Sequence, residues 1–141
     1  MKKILIINSY YYKDISNNLV FYAKKRLLEV KFKLSVINIP GAFEIPITIR
    51  RNINKFDGFI ALGCVIKGQT PHFDLLCSSL FNSILSLSIK HNKPIGNGVI
   101  TALNLNQAKQ RSKKTKSNKP NKGSEAANAV ISILKNGPKK I

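Results

Sequence analysis

The sequence predicts an α/β protein, a three-layer sandwich in which a four-stranded parallel sheet carries helices on both faces. Three observations lead there. Strand-like and helix-like stretches alternate four times along the chain, the pattern of successive right-handed β-α-β crossovers. The stretch Phe59 to Val65 is apolar almost without interruption, as expected of a strand covered on both sides. The chemistry-bearing residues fall just after the strands, where open parallel sheets bind their ligands.

Lys3 to Asn8 reads as the first strand, followed by a loop with the aromatic cluster Tyr10-Tyr11-Tyr12. Asp14 is placed to cap a helix reaching about Val30, in which Ile15, Leu19, Ala23 and Leu27 keep i, i+4 spacing. Leu34 to Ile39 is short, rich in β-branched residues and stopped by Pro40, so it reads as the second strand. Gly41-Ala42-Phe43-Glu44-Ile45-Pro46 then turns into a helix with Ile45, Ile49 and Ile53 at helical spacing and Pro46 in the tolerant first turn. The third strand, Phe59 to Val65, runs through a polar loop to Thr70, a good N-cap, and Pro71, suited to the first helical position. That helix continues to about Lys90 with Leu76, Leu80, Ile84 and Leu87 on one face. Pro94 to Leu103 is the fourth strand, whose Gly96 and Gly98 allow close backbone approach. Asn104 or Asn106 caps a short helix to Arg111, and Asn121 caps a last one. Ala126, Val130, Ile133 and Leu134 form its apolar face, and Gly137-Pro138 ends it.

Composition narrows the class. A chain of 141 residues, 43% of them hydrophobic, suits one domain over residues 1–141 that buries about two-thirds of its unfolded surface. The apolar run after Lys2-Lys3 stops at Asn8, too short for a secretory signal. No apolar stretch approaches the roughly 20 residues of a membrane span, so a cytoplasmic protein is expected. Cys64 and Cys77 sit in apolar contexts and read as small buried hydrophobes rather than a disulfide framework. The 24 Lys and Arg against 6 Asp and Glu give +18, which raises nucleic-acid binding. Only Arg26, Arg50, Arg51 and Arg111 are arginine, the residue that base and bidentate phosphate recognition favour. The abundance of Lys, Asn and Ile, all with A/T-rich codons, explains much of the charge without a partner. The acid-free run from Lys109 to Lys122 either holds a phosphate or is a solvated loop.

The residues from Gly63 to Asp74 draw the most chemistry. A loop with Gly68 feeding a helix start is a natural anion site, with free N–H groups and a favourable dipole at Gln69 and Thr70. His72 falls in the first turn of the predicted helix, where the dipole favours a proton-accepting imidazole. An ordinary surface histidine is the plainer alternative. Glu44, at a strand-to-helix junction, is either functional or a dipole-complementing acid. No glycine-rich fingerprint follows the first strand, which disfavours a dinucleotide cofactor. With only two histidines, His91 at the far end of the helix from His72, a metal site is disfavoured as well.

Four separated motifs, in order, carry a family resemblance: Gly41 to Pro46, Ala61 to Asp74, Gly98-Val99-Ile100-Thr101, and Asn121-Lys122-Gly123-Ser124-Glu125-Ala126-Ala127. Together they resemble lumazine synthase over nearly the whole chain. The resemblance implies a flavodoxin-like fold and the penultimate step of riboflavin synthesis. In that step 5-amino-6-(D-ribitylamino)uracil and 3,4-dihydroxy-2-butanone 4-phosphate give 6,7-dimethyl-8-ribityllumazine, phosphate and water without a cofactor or metal. Carried over by motif, Tyr11 stacks on the pyrimidine, Ala42, Phe43 and Glu44 bind the ribityl chain and ring edge, and Cys64, Val65 and Ile66 supply backbone contacts. Gln69 and Thr70 match the phosphate loop, His72 the proton-transfer residue and Arg111 the phosphate-binding arginine. Asn97 matches a ring-contacting position from the adjacent subunit, and Lys122 a lysine near the ligand.

The chain departs from the family pattern at Lys67, Gln69, Tyr11 and Asn97, where the family more often has Arg, Glu or Ala, Phe or Trp, and an aromatic or apolar residue. The resemblance also implies a homo-oligomer with sites between neighbouring subunits of a pentamer. Because the stretch from Arg111 to Asn121 is longer than in many relatives and rich in lysine, a free pentamer is expected rather than an icosahedral shell. Two competing expectations belong to other classes: a basic nucleic-acid-binding module, which leaves the clustered motifs unexplained, and a catalytically weakened assembly protein of the same fold.

Overall fold

The computed structural model describes residues 1–68, 72–113, 121–136 and 138. Along the chain come β1 (Lys3–Ser9), α1 (Lys13–Glu29), β2 (Lys33–Ile39), a 3-10 turn (Ala42–Glu44), α2 (Ile45–Arg51), β3 (Gly58–Ile66), α3 (Phe73–His91), β4 (Ile95–Ala102), α4 (Leu105–Ser112) and α5 (Lys122–Lys135). The strands are all parallel and ordered β2-β1-β3-β4, with Ile6 opposite both Val36 and Ile60, and Leu62 opposite Gly98. The chain leaves β1 toward one edge and returns past it to β3. That reversal makes β1/β3 the switch point of a flavodoxin-like sheet, the place where such folds open a crevice.

The period-2 alternation of strand side chains splits the core into two layers. Ile4, Ile6, Ile60, Leu62, Cys64 and Ile100 pack under α1, α4 and α5. Leu5, Ile7, Phe59, Ala61, Val65 and Val99 pack under α2 and α3. Every residue of β3 is buried, which is why its sequence is apolar on both parities. Gly96 and Gly98 let α5 close on β4: a Cβ at Gly96 would overlap the Ala126 carbonyl, and one at Gly98 would press Leu62.

Several local expectations are corrected. Asp14 does not cap α1; Tyr12 is the N-cap residue, its carbonyl accepting from Ser16 N–H at 2.9 Å, and Asp14 lies inside the first turn. Of the two asparagines offered for α4, Asn104 caps it, accepting from Gln107 N–H at 2.9 Å. α2 ends at Arg51, so Ile53 is buried from the loop beyond it. Thr70 and Pro71 lie outside the described residues, and α3 starts at Phe73 with His72 as its N-cap residue at φ −126°. His72 therefore precedes the first turn rather than occupying it. On α5, Ile133 is 66% exposed while Ala127 and Ile131 are buried. The stripe turns that way because Gly123 sits against the Leu19 backbone and Ala126 against Gly96, which fixes the rotation of the helix. Gly137 is outside the described residues. Among those described, no helix is long and apolar enough to cross a membrane.

Candidate functional site

A cavity of about 320 Å³ opens where β1, β2 and β3 end. Its walls come from the segments that follow β1 and β2, from the end of β3 and from α3. After β1, Tyr11 and Tyr12 stand edge to face, with ring centroids 4.9 Å apart and planes at 75°. Tyr11 is 70% exposed, while the Tyr12 hydroxyl is buried without a hydrogen-bond partner among the described residues. After β2, the 3-10 turn presents Ala42, Phe43 and Glu44. The Glu44 carboxylate folds over Gly41, where a Cβ would stand 3.0 Å from Oε2. The end of β3 supplies Cys64, Val65 and Ile66, and α3 contributes Leu76. Beyond it the backbone turns at Gly68, whose φ of 89° belongs to the left-handed region that glycine favours.

A second cavity of about 490 Å³ wraps the open edge of β4. Asn97 and Thr101 of the strand line it with Phe81 of α3, Arg111 of α4, and Lys122 and Glu125 of α5. The Arg111 guanidinium donates from one terminal nitrogen to the Thr101 carbonyl at 2.6 Å, which pins it over the end of the strand. Asn121 holds α5 in place: its Oδ1 accepts from Ser124 N–H at 2.9 Å, and its Nδ2 donates to the Ser112 carbonyl at 3.2 Å. Asn97 turns its side-chain carbonyl back to Val99 N–H at 3.0 Å. Among the described residues Arg111, Lys113 and Lys122 form no ion pair. With Glu125 the one acid on the wall, the cavity is electropositive and suits an anion.

The two cavities meet electrostatically at Cys64. Burial pushes its thiol up to about 11, and Arg111 pulls the other way with smaller effect. A thiol so rarely ionised is a poor nucleophile. Tyr12 is likewise raised, first by burial and then by Cys64 and Tyr11. Both cysteines are free, Cys64 buried and Cys77 half-buried.

Of the residues singled out from sequence, the structure brings Tyr11, Ala42, Phe43, Glu44, Cys64, Val65 and Ile66 together. It places Asn97, Arg111 and Lys122 in the other cavity. His72 is exposed and on neither wall; its carbonyl accepts from Leu76 N–H at 2.8 Å, one turn from the first cavity. Gln69 and Thr70 lie outside the described residues. Sequence reasoning missed Tyr12, Leu76, Phe81, Gln110 and Lys113 as lining residues, and saw Asn121 and Glu125 only within a motif. The Tyr10-Tyr11-Tyr12 cluster was a signal for the first; Leu76 and Phe81 look like any core residues of a helix. Among the described residues no group of three metal-ligating side chains comes together.

An open parallel α/β sheet with an aromatic and carboxylate-bearing pocket at its switch point, and a cationic cavity beside it, makes an α/β protein with a site suited to small polar molecules. The chain belongs to the 6,7-dimethyl-8-ribityllumazine synthase family, whose model matches residues 1–136. Among curated relatives, the 6,7-dimethyl-8-ribityllumazine synthase of Bartonella tribocorum is 35% identical over 94% of this chain and 89% of its own length. That of Agrobacterium fabrum is 34% identical over 94% of both chains. That of Vesicomyosocius okutanii is 37% identical over 79% of this chain and 72% of its own. The chain is thus an enzyme of riboflavin biosynthesis, a transferase acting on small molecules.

Proposed function

We propose that this chain condenses 5-amino-6-(D-ribitylamino)uracil with 3,4-dihydroxy-2-butanone 4-phosphate, giving 6,7-dimethyl-8-ribityllumazine, phosphate and water. The observation that carries this reading is the joint wall of the first cavity: an exposed tyrosine ring, a carboxylate and the end of a buried strand within one space. A planar pyrimidine stacks on Tyr11. The hydroxyls of a ribityl chain donate to Glu44, and a ring edge pairs with peptide groups from Cys64 to Ile66.

The chemistry needs an amine to attack a ketone, loss of water to form an imine, elimination of phosphate, and ring closure with loss of further water. Each step moves a proton, and His72, at the mouth of the loop that leads to α3, takes and returns it. Arg111 neutralises the phosphate, together with Gln69 and Thr70 of the loop. Holding the two reactants in register supplies much of the rate.

On one chain the cationic cavity and the pyrimidine pocket are separate spaces. We read the working site as one chain's pocket closed by the Asn97, Arg111 and Lys122 side of a neighbouring copy, within a free pentamer. Sedimentation or light scattering tests the assembly; a sixty-subunit particle sinks the free-pentamer reading. The first experiment is lumazine formation, followed by absorbance and fluorescence, for wild type and His72→Ala against the uncatalysed background. A rate above background that falls about tenfold or more in the variant is expected. A folded, oligomeric wild type that only matches background overturns the synthase reading.

A further inference from the structure

Tyr12 lines the pyrimidine pocket beside Tyr11, and nothing in the proposed chemistry uses it. Its position is unusual in two respects. Its ring packs against the α1 core layer while standing edge to face with the ring of Tyr11, at 4.9 Å and 75°. Its hydroxyl, though buried, has no hydrogen-bond partner among the described residues, a condition that costs free energy wherever it persists. Tyr11, in contrast, is 70% exposed. An exposed side chain loses rotamer freedom when a ligand stacks on it, and that loss weakens binding unless the ring is already held.

We infer that Tyr12 is a positioning residue, whose half-buried ring fixes the plane of Tyr11 and presents it, already ordered, as the stacking face for a planar heterocycle. It acts through Tyr11 and does not touch the reacting atoms. This inference rests on the synthase reading only for the identity of the ligand; the pairing of the two rings stands independently of it.

The test separates the two. The chain contains no tryptophan, so Tyr11→Trp gives a unique fluorophore whose local motion is read by time-resolved anisotropy. Adding Tyr12→Leu should enlarge the fast, local component, whereas adding Tyr12→Phe should not. Tyr12→Met replaces Tyr12→Leu if the latter fails to fold. In the chain with Tyr11 intact, titration with 6,7-dimethyl-8-ribityllumazine should show Tyr12→Leu weakening binding by about 2- to 12-fold, the range of an aromatic pair. Tyr12→Phe should restore it. The KM for the uracil substrate should rise with Kd while that for the butanone phosphate stays unchanged. Unaltered anisotropy overturns the inference. So does a Tyr12→Phe variant as weak as Tyr12→Leu, which would move the role to the hydroxyl. If the wild type neither binds the lumazine nor forms it while the anisotropy responds as expected, the synthase reading falls and the ring pairing stands.

Discussion

Asn121 joins the two helices that carry the cationic cavity, so replacing it tests how that cavity is built. In Asn121→Ala two interactions vanish together: the cap on Ser124 N–H and the donation to the Ser112 carbonyl, both from a side chain only 7% exposed. Loss of an N-cap costs about 1 kcal/mol, and loss of one buried hydrogen bond about another. The expected destabilisation is roughly 2 kcal/mol. A 141-residue chain has an unfolding entropy of about 0.3 kcal/mol per kelvin, so Tm should fall by about 7 °C. Differential scanning calorimetry at fixed protein concentration is the assay, since any assembly makes Tm concentration-dependent. Asn121→Ser keeps an oxygen for Ser124 N–H and loses the reach to Ser112, so it should recover about half of the loss. An alanine variant melting within about 2 °C of wild type refutes the two-bond account. A serine variant no better than alanine refutes the cap.

Other perturbations have equally definite outcomes. Gly96→Ala puts a Cβ into the Ala126 carbonyl; because backbone rather than a flexible side chain must yield, soluble folded protein should be lost or strongly reduced on size-exclusion chromatography. His91, whose Nε2 is buried with no hydrogen-bond partner among the described residues, is held below its ordinary range first by burial and then by Arg50, Lys90 and Lys93. The unfolded chain then binds the proton more readily, so stability should fall as pH drops from about 6.5 through the lower folded-state value. His91→Gln should flatten that acid limb in pH-dependent melts. The Cys64 thiol is buried and pushed up to about 11, and Cys77, though also raised by burial and then by Asp74, is only half-buried, so iodoacetamide at pH 8 should modify Cys77 first in a mass-resolved time course.

β3 was legible because burial on both faces leaves a short, near-continuous apolar run, as in Phe59 to Val65, and β2 because it is short, rich in β-branched residues and stopped by Pro40. So were the caps at Asn104 and Asn121, where a side-chain oxygen meets a free N–H. Less legible was whatever depends on a distant partner. Ile133 and Ile131 are equally apolar in sequence, and only the contacts of Gly123 with Leu19 and of Ala126 with Gly96 decide which one faces solvent. Asp14 looked like a cap because the residue type fits, yet α1 begins one residue before it. The pocket walls were readable where each lay just after a strand. That Tyr12 turns inward and Tyr11 outward, and that Arg111 reaches Thr101 at the edge of β4, follows from packing between elements far apart in sequence.

The separation of Glu44 and Arg111 into different cavities of one chain has a genetic corollary. If a working site takes its pocket from one copy and its cations from the next, Glu44→Gln and Arg111→Ala damage opposite halves of that junction. Chains carrying both lesions in cis have no intact site anywhere. Mixed from two separately inactive stocks, by denaturing and refolding together, the single variants should place an undamaged pocket against an undamaged cationic face at some junctions and not others. Intragenic complementation, with activity rising and then falling as the mixing ratio passes through equality, would be the signature of a site that belongs to no single chain.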